Sequence, residues 1–171
     1  MTRKVGIVGS SESHWTPTLK MKAVQEIRNI LTFEAVKEME KILEKSIESE
    51  EYRKTLFYSS SFQFSTIVLV SGASPKKGVD EFAEIAADSL GVKKEIYPAD
   101  VNRWDDWDRY EGSGRITKRK GFKSRNIQIA KAVDVLYCID PITRKQDEGG
   151  GMWTLNYAKR LNKETHHVII G

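Results

Sequence analysis

The feature that most constrains the fold of this chain is an apolar run that ends abruptly in a basic, glycine-containing loop. The run covers residues 66–70, the loop covers residues 71–78, and an amphipathic helical pattern begins at Val79. A continuous apolar run is typical of a strand buried in a parallel sheet, and glycine lets the backbone leave it sharply. The next helix directs free backbone N–H groups towards the loop, which predicts a phosphate site. The alternative is an ordinary strand-to-helix turn whose lysines are solvated.

Length and composition indicate a single globular domain. The chain has 171 residues, of which 39% are hydrophobic and 30% charged, and no apolar run is long enough to span a membrane. The start resembles a strand rather than a signal peptide, so we expect a cytoplasmic location. Cys138 is the only cysteine, which excludes an intrachain disulfide and a zinc site built on cysteines. We therefore expect a buried Cys138, structural roles for His166 and His167, and no metal site.

Strand and helix patterns alternate along the chain. We predict strands over residues 4–8, 66–70, 92–97, 133–139 and 167–170, and helices over residues 79–90, 122–132 and 153–161. Apolar spacing also predicts a helix opened by Pro17 and a second one through Val36, Met39, Leu43 and Ile47. Residues 52–65 fit no single pattern, and residues 98–121 read as a long loop.

This alternation predicts the fold class. Parallel strands need crossover connections, so the expected fold is α/β, a three-layer Rossmann-like fold with a mainly parallel central sheet. The domain is expected to cover residues 1–171, with 33–65 as a helical or irregular elaboration. Open parallel sheets bind ligands at the carboxyl ends of their strands, where the strand order reverses.

Loops with unusual chemistry follow four of the predicted strands, at residues 9–15, 71–80, 98–100 and 140–154. The last one resembles the second, because Gly149–Gly151 free the backbone before a helix. Thr154 would help to cap that helix or touch a phosphate. A flexible surface turn is the alternative for these glycines. We expect the loops to converge on one pocket.

The motifs in these loops carry a resemblance to a known family. They are Gly9-Ser10, Ser71-Gly72-Ala73 with Gly78-Val79-Asp80, Pro98-Ala99-Asp100, Arg125-Asn126, and Gly149-Gly150-Gly151 with Thr154. In this order and spacing they resemble the SMF/DprA-LOG (SLOG) superfamily of Rossmann-like proteins, most of all its YspA/YpsA-related branch. The resemblance covers most of the chain outside residues 33–65.

The resemblance implies a site for a nucleotide or nucleotide-derived ligand, in a sensor or binding protein that is a homo-oligomer, most simply a dimer. Magnesium would enter only with the phosphates of the ligand. A guanidinium fork fits two phosphate oxygens, so Arg125 at a helix start would anchor the phosphate of the ligand by paired hydrogen bonds. The loops and the resemblance together predict the residues that surround this ligand. They are Gly9, Ser10, Ser71, Gly72, Ala73, Lys77, Gly78, Asp80, Arg125, Asn126, Gly149, Gly150, Gly151 and Thr154.

The sequence departs from the family pattern where catalysis would occur. In the cytokinin-activating phosphoribohydrolases of the superfamily, the Arg of an Arg-Lys pair and the Glu of a Gly-Gly-x-Gly-Thr-x-x-Glu motif serve N-glycosidic bond cleavage. Here Arg125 is kept, Asn126 takes the Lys position, Trp153 replaces the third Gly, and Tyr157 stands in place of the Glu. A phenol with a pKa near 10 is a poor substitute for a carboxylate.

A nucleotide N-glycosidase with a non-standard acid is therefore the alternative function. Its acid would be Glu148, Asp100 or Glu12, because these carboxylates lie in the loops of the same predicted edge.

Nucleic-acid binding is a second alternative. The basic segment 115–125 follows the acidic, Trp-rich segment 104–111, and the chain has a net charge of +4. Lysines and arginines would contact phosphates while aromatic rings stack on bases. The interleaved aspartates would repel a phosphate backbone, and a solvated charged loop is the simpler interpretation.

Overall fold

The computed structural model of this protein describes residues 2–46, 64–110, 112–145 and 149–171. The elements in chain order are β1 (Arg3–Gly9), a short 3-10 helix (Glu12–His14), α1 (Pro17–Ser46), β2 (Ile67–Ser71), α2 (Val79–Leu90), β3 (Lys93–Ile96), β4 (Trp107–Tyr110), β5 (Ile116–Arg119), α3 (Phe122–Ala132), β6 (Val135–Pro141), α4 (Gly150–Arg160) and β7 (Glu164–Ile170).

Five of the strands form one parallel sheet in the order β3-β2-β1-β6-β7, and β4 and β5 form a separate antiparallel hairpin. Helices α1 and α2 cover one face of the sheet, and α3 and α4 cover the other. This arrangement confirms the predicted α/β, three-layer, Rossmann-like fold. The carboxyl ends of all five parallel strands lie at one edge of the sheet.

The two faces of the sheet build two separate apolar layers. On β1, Val5 and Ile7 point towards α1 and α2, while Val8 points towards α3 and α4. The alternation follows from the period of two in a strand. Each layer contains fully buried side chains, such as Ile27 on α1 and Leu155 on α4. The strands whose carboxyl ends carry the loops are therefore packed against helices on both faces of the sheet.

Helix α1 differs from the sequence prediction, because one helix of 30 residues replaces the two that were expected. No glycine or proline interrupts the chain between the two patterns. The buried positions Leu31, Ala35, Met39 and Leu43 recur every four residues, so one apolar stripe continues through both halves. The helix begins at Pro17, as predicted, and Thr16 caps it by accepting a hydrogen bond from the Leu19 N–H at 3.3 Å. Ile47 and residues 52–63 lie outside the described residues.

Most of the other element boundaries agree with the prediction to within two residues, and the larger differences lie in one loop, the last strand and the last helix. The expected long loop at 98–121 contains the β4–β5 hairpin, whose charged residues hid the strand pattern. The last strand begins at Glu164 rather than at His167. Helix α4 begins at Gly150 rather than at Trp153, which places two glycines inside its first turn.

A buried carboxylate joins α1 to the sheet. Glu34 on α1 is completely buried and accepts hydrogen bonds from Arg3 Nε and from the Tyr137 hydroxyl, both at 2.6 Å. Burial and the hydrogen bond to Glu34 raise the pKa of Tyr137. Arg3 also contacts Glu164 of β7 at 2.5 Å. One ion-pair network thus links α1, β1, β6 and β7.

Replacing Glu34 by glutamine should destabilise the fold by about 1.5–3 kcal/mol, because Arg3 and Tyr137 lose a buried charged acceptor and Arg3 keeps only Glu164 as an ionic partner. Urea unfolding of the Glu34→Gln variant measures the change. The control is Glu40→Gln on the same helix, where the side chain is exposed and the expected change is within about 0.5 kcal/mol. Equal stabilities for the two variants would contradict a structural role for the buried network.

Candidate functional site

A pocket opens at the carboxyl edge of the sheet, between β1 and β6. The strands β1, β2 and β3 follow one another in one direction from this point, and β6 and β7 extend in the other. Open α/β sheets bind ligands at such a reversal of the strand order. The cavity has a volume of about 190 Å³. It is lined by Val8, Gly9, Ser11, Ser74, Lys76, Lys77, Asp80, Trp104, Phe122, Arg125, Asn126, Arg144, Gly150, Gly151 and Thr154.

Three helices begin at this edge without a side-chain cap. Glycine precedes each of them, Gly78 before α2, Gly121 before α3 and Gly149 before α4. A glycine has no side chain that could accept a hydrogen bond from the first turn. Backbone carbonyls instead accept from the N–H groups of Phe122 and Lys123 in α3, at 2.7 and 2.8 Å, and from the Val79 N–H in α2. In α4, the N–H groups of Gly150 and Gly151 have no partner among the described residues and remain for another acceptor. The first turn of α4 contains no acidic residue, whereas that of α2 contains Asp80 and Glu81. Helix α4 therefore offers the better anion site.

The loops after β1 and β2 fit closely against each other. The Val79 N–H donates to the Ser10 carbonyl at 3.1 Å, and the Glu12 N–H donates to the Lys76 carbonyl at 3.3 Å. Gly78 has a φ of 85°, and a Cβ there would lie 2.3 Å from the Ser10 oxygen. Only glycine suits this position, both for its backbone angle and for the lack of space.

Two adjacent residues at the start of α3 connect the glycine loops. Arg125 donates from Nη1 to the Gly72 carbonyl at 3.1 Å and from Nε to Asn126 Oδ1 at 3.0 Å. Asn126 in turn donates from Nδ2 to the Gly150 carbonyl at 3.3 Å. The loops after β2 and before α4 are therefore neighbours at one edge, as the sequence indicated.

Arg125 also forms a buried ion pair with Asp80, with Nη1 and Oδ2 3.3 Å apart and each side chain 10% exposed. Asp80 Oδ2 additionally accepts a hydrogen bond from the Ser74 N–H at 3.0 Å. Burial raises the pKa of Asp80, against the attraction of Arg125, and burial lowers the pKa of Arg125. Arginine stays protonated because its ordinary pKa lies far above neutrality. Within the described residues, its Nη2 group has no hydrogen-bond partner.

The pocket contains some of the predicted ligand residues and not others. Those in its lining are Gly9, Lys77, Asp80, Arg125, Asn126, Gly150, Gly151 and Thr154. Those outside its lining are Ser10, Ser71, Gly72, Ala73, Gly78 and Gly149.

The residues outside the lining hold its loops in place. The Ser71 hydroxyl donates to Glu84 at 3.0 Å and accepts from the Ala73 N–H at 3.3 Å. Ser10 is buried and donates to Asp140. Thr154 lines the pocket but does not cap α4, because its hydroxyl donates to the Gly150 carbonyl within the helix at 2.6 Å.

Aromatic residues at the pocket were not identified from the sequence. Phe122 begins α3 and carries two cations over its ring, Lys76 at 5.7 Å and Arg125 at 5.2 Å from the centroid. Trp104 is 38% exposed and packs edge-on against Trp153 at 5.3 Å. Trp104 lies within the predicted long loop, where only the folded chain shows that it returns to the site. Ser11, Ser74 and Arg144 lie in loops that were expected to reach this edge, but no sequence motif distinguished them as lining residues.

The candidate acids lie away from the pocket lining or outside the described residues. Asp100 accepts a hydrogen bond from the Lys120 N–H at 3.0 Å, and Glu12 pairs with Lys20 at 2.5 Å, which lowers the pKa of Glu12. Glu148 lies outside the described residues. Among the described residues of the lining, Asp80 is the only carboxylate, and Arg125 neutralises it. Tyr157 stacks on Trp153 at 5.3 Å and packs against the core.

Aspartates pair with part of the basic segment 115–125. Lys118 lies 3.8 Å from Asp106, and Lys123 lies 3.9 Å from Asp105. Asp106 also accepts hydrogen bonds from the Gly121 N–H at 2.9 Å and from the Ser124 hydroxyl at 2.5 Å, which lower its pKa. These contacts use the acidic residues to fix the hairpin next to the pocket, and they leave fewer cations for a nucleic-acid backbone.

A second cluster of reactive side chains lies in the middle of β6 and β7. Cys138, Asp140 and His167 bring a sulfur, a carboxylate oxygen and a ring nitrogen within 4.8 Å of one another. Burial raises the pKa of the Cys138 thiol well above its usual range, so it is not an activated nucleophile. This cluster was not predicted from the sequence, because His167 is distant in the chain and reaches the other two residues only through the pairing of β6 with β7.

Comparison of the chain with protein-family models, with curated proteins and with solved structures found no match. Within the described ranges, no helix has both the length and the apolar character to cross a membrane.

Two neighbouring glycines test the geometry of the site. A Cβ on Gly151 would lie 2.7 Å from Gly9 Cα, whereas a Cβ on Gly150 would have no atom closer than 3.5 Å. Gly151→Ala should therefore destabilise the protein by about 1–3 kcal/mol through overpacking. Gly150→Ala is the matched control and should be neutral or stabilising by up to about 1 kcal/mol, since alanine favours helix. Urea unfolding compares them, and a Gly151→Ala variant as stable as Gly150→Ala would show that α4 does not approach β1 this closely.

Proposed function

We propose that this protein binds a nucleotide or nucleotide-derived ligand in the pocket between β1 and β6 and acts as a sensor or binding protein. The observation that carries the proposal is the N-terminus of α4, which opens into the pocket without a cap or an acidic residue and lies among cationic and aromatic side chains. The order of the loop motifs further supports membership of the SLOG superfamily.

A phosphate group would bind at the first turn of α4. Gly150 and Gly151 line the pocket, and glycine lets an anion approach the backbone N–H groups closely. Lys76 and Lys77 line the same space and contribute positive charge, whereas the charge of Arg144 is paired with Asp140 at 3.1 Å. Two or more charged donors around free amides are typical of sites that bind phosphate.

Arg125 acts mainly as a positioning residue in this proposal. Its Nη1 and Nε atoms are engaged by Gly72, Asp80 and Asn126, so the guanidinium fixes both glycine loops before a ligand arrives. Its Nη2 group remains to donate to a phosphate oxygen. Arg125 was predicted to bind phosphate directly, and its contacts with Gly72, Asp80 and Asn126 add a structural role.

The base of the ligand would lie at the open rim. The cavity of about 190 Å³ is smaller than the ~300–1,000 Å³ of pockets that enclose a whole small molecule. A phosphate and part of a ribose would fill it, and the base would extend towards Trp104, whose exposed ring offers a stacking surface.

Binding without cleavage fits the side chains of the pocket. Glycosidic bond cleavage uses a pair of carboxylates. In the described lining, Asp80 is the only carboxylate and it is engaged by Arg125, while Tyr157 is stacked against Trp153. Incubation with nucleoside monophosphates is therefore expected to release no free base.

Loss of the Lys76 charge should weaken binding of adenosine monophosphate by about 1 kcal/mol, or about fivefold, because an exposed ion pair contributes at this level. Titration calorimetry with Lys76→Ala measures the change. Lys131→Ala is the matched control, since Lys131 is exposed on α3 outside the pocket lining, and it should bind as the unaltered protein does.

The phosphate assignment has its own control in the same experiment. Adenosine, which lacks the phosphate, should bind more weakly than the monophosphate. Equal affinity for the two ligands, or equal loss in both lysine variants, would contradict a phosphate site at α4.

A further inference from the structure

We propose that Cys138, Asp140 and His167 form a binding site for a divalent transition metal ion of the zinc type, one layer behind the pocket. A thiolate, a carboxylate and an imidazole together are a ligand set that Zn²⁺ and Co²⁺ favour over Mg²⁺ or Ca²⁺. Nothing in this proposal depends on nucleotide binding, because the three side chains are outside the pocket lining.

Strand geometry brings the three side chains together. Cys138 and Asp140 are two residues apart on β6, so both point to the same face of the sheet. His167 is the register partner of Cys138 on the parallel neighbour β7. Its ring therefore stands beside the sulfur on that face, whereas the adjacent His166 stacks on Tyr137 on the other face. The sheet itself holds the ligand set.

The distances suit a tetrahedral ion. His167 Nε2 lies 3.1 Å from Asp140 Oδ2, and Cys138 Sγ lies 3.5 Å from the same oxygen. With metal bonds of about 2.3 Å to sulfur and about 2.0–2.1 Å to nitrogen and oxygen, tetrahedral geometry separates ligand atoms by about 3.3–3.6 Å. All three ligand atoms lie within 4.8 Å of one another, so rotation of the side chains would bring them into this geometry.

The other carboxylate oxygen of Asp140 is already fixed. Asp140 Oδ1 accepts hydrogen bonds from the Ser10 hydroxyl and from Arg144 Nη1, the latter at 3.1 Å. Supporting contacts of this kind orient a ligating carboxylate and leave its second oxygen for the metal. On binding, Cys138 gives up its proton to solvent. The formal charges of Asp140, the Cys138 thiolate and Arg144 then add to a single negative charge beside the divalent cation.

The site has an entry and a free coordination position. The His167 side chain is 24% exposed, while Asp140 is 1% exposed. An ion would enter past the imidazole and take three protein ligands, which leaves a fourth position for water. Behind the cluster, a Cβ on Gly151 would lie 3.1 Å from Cys138 Sγ, so the ion would sit directly beneath the first turn of α4.

Titration of the 171-residue protein with Co²⁺ tests the proposal. A cobalt ion bound by a thiolate shows a charge-transfer absorption band, and we expect this band to saturate at one ion per chain and to disappear when Zn²⁺ displaces the cobalt. Since Cys138 is the only cysteine, Cys138→Ser should abolish the band. His167→Gln should weaken cobalt binding at least about tenfold, the lower end of what outer-shell changes alone cause.

His166→Gln is the matched control, because it changes the neighbouring histidine on the opposite face, and it should leave both band and affinity unchanged. If Cys138→Ser does not fold, the comparison of His167→Gln with His166→Gln decides the question. Absence of the charge-transfer band at saturating Co²⁺ would overturn the proposal. So would equal cobalt affinity of the His167→Gln and His166→Gln variants.

Discussion

The guanidinium of Arg125 holds the functional edge of this protein in one arrangement. It reaches from the start of α3 to the Gly72 carbonyl, to Asp80 at the start of α2, and through Asn126 to the Gly150 carbonyl at the start of α4. Because these contacts are buried, removal of one partner would leave a buried polar or charged group unpaired, which destabilises the fold. Three helix N-termini and two loops are thereby fixed around one cavity.

Close backbone approach is the second requirement of this edge. Gly78 lies against Ser10, and Gly151 lies against Gly9, at distances that leave no room for a Cβ. The same approach lets the amides of α4 face the cavity and brings Cys138 beneath them. The proposed anion site and the proposed metal site therefore both lie against the first turn of α4. The anion would bind the backbone N–H groups of that turn, and the metal ion would bind side chains of β6 and β7.

Local sequence patterns predicted the parallel sheet and its crossover helices. Most of the features that were not predicted depend on contacts between segments distant in the chain. The apolar run before Ser71 and the helical pattern after Val79 correctly indicated a parallel strand and its crossover helix, because both signals are local. Trp104 lies in a segment with no clear periodicity, and the hairpin that follows brings it back to the pocket. The pairing of His167 with Cys138 depends on the register of β6 and β7, which no single strand encodes. Arg125 was predicted as a phosphate ligand, since the sequence does not show that Asp80 would be buried beside it.

The central claim is that an anionic ligand group binds the free backbone amides at the start of α4. The most direct measurement is a nuclear magnetic resonance titration of the ¹⁵N-labelled protein with adenosine monophosphate, followed at the glycine amides. The account predicts the largest shifts at Gly150 and Gly151, with Gly91 unchanged, because Gly91 ends α2 at the edge of the sheet opposite the pocket. Unchanged Gly150 and Gly151 resonances at saturating ligand would contradict it.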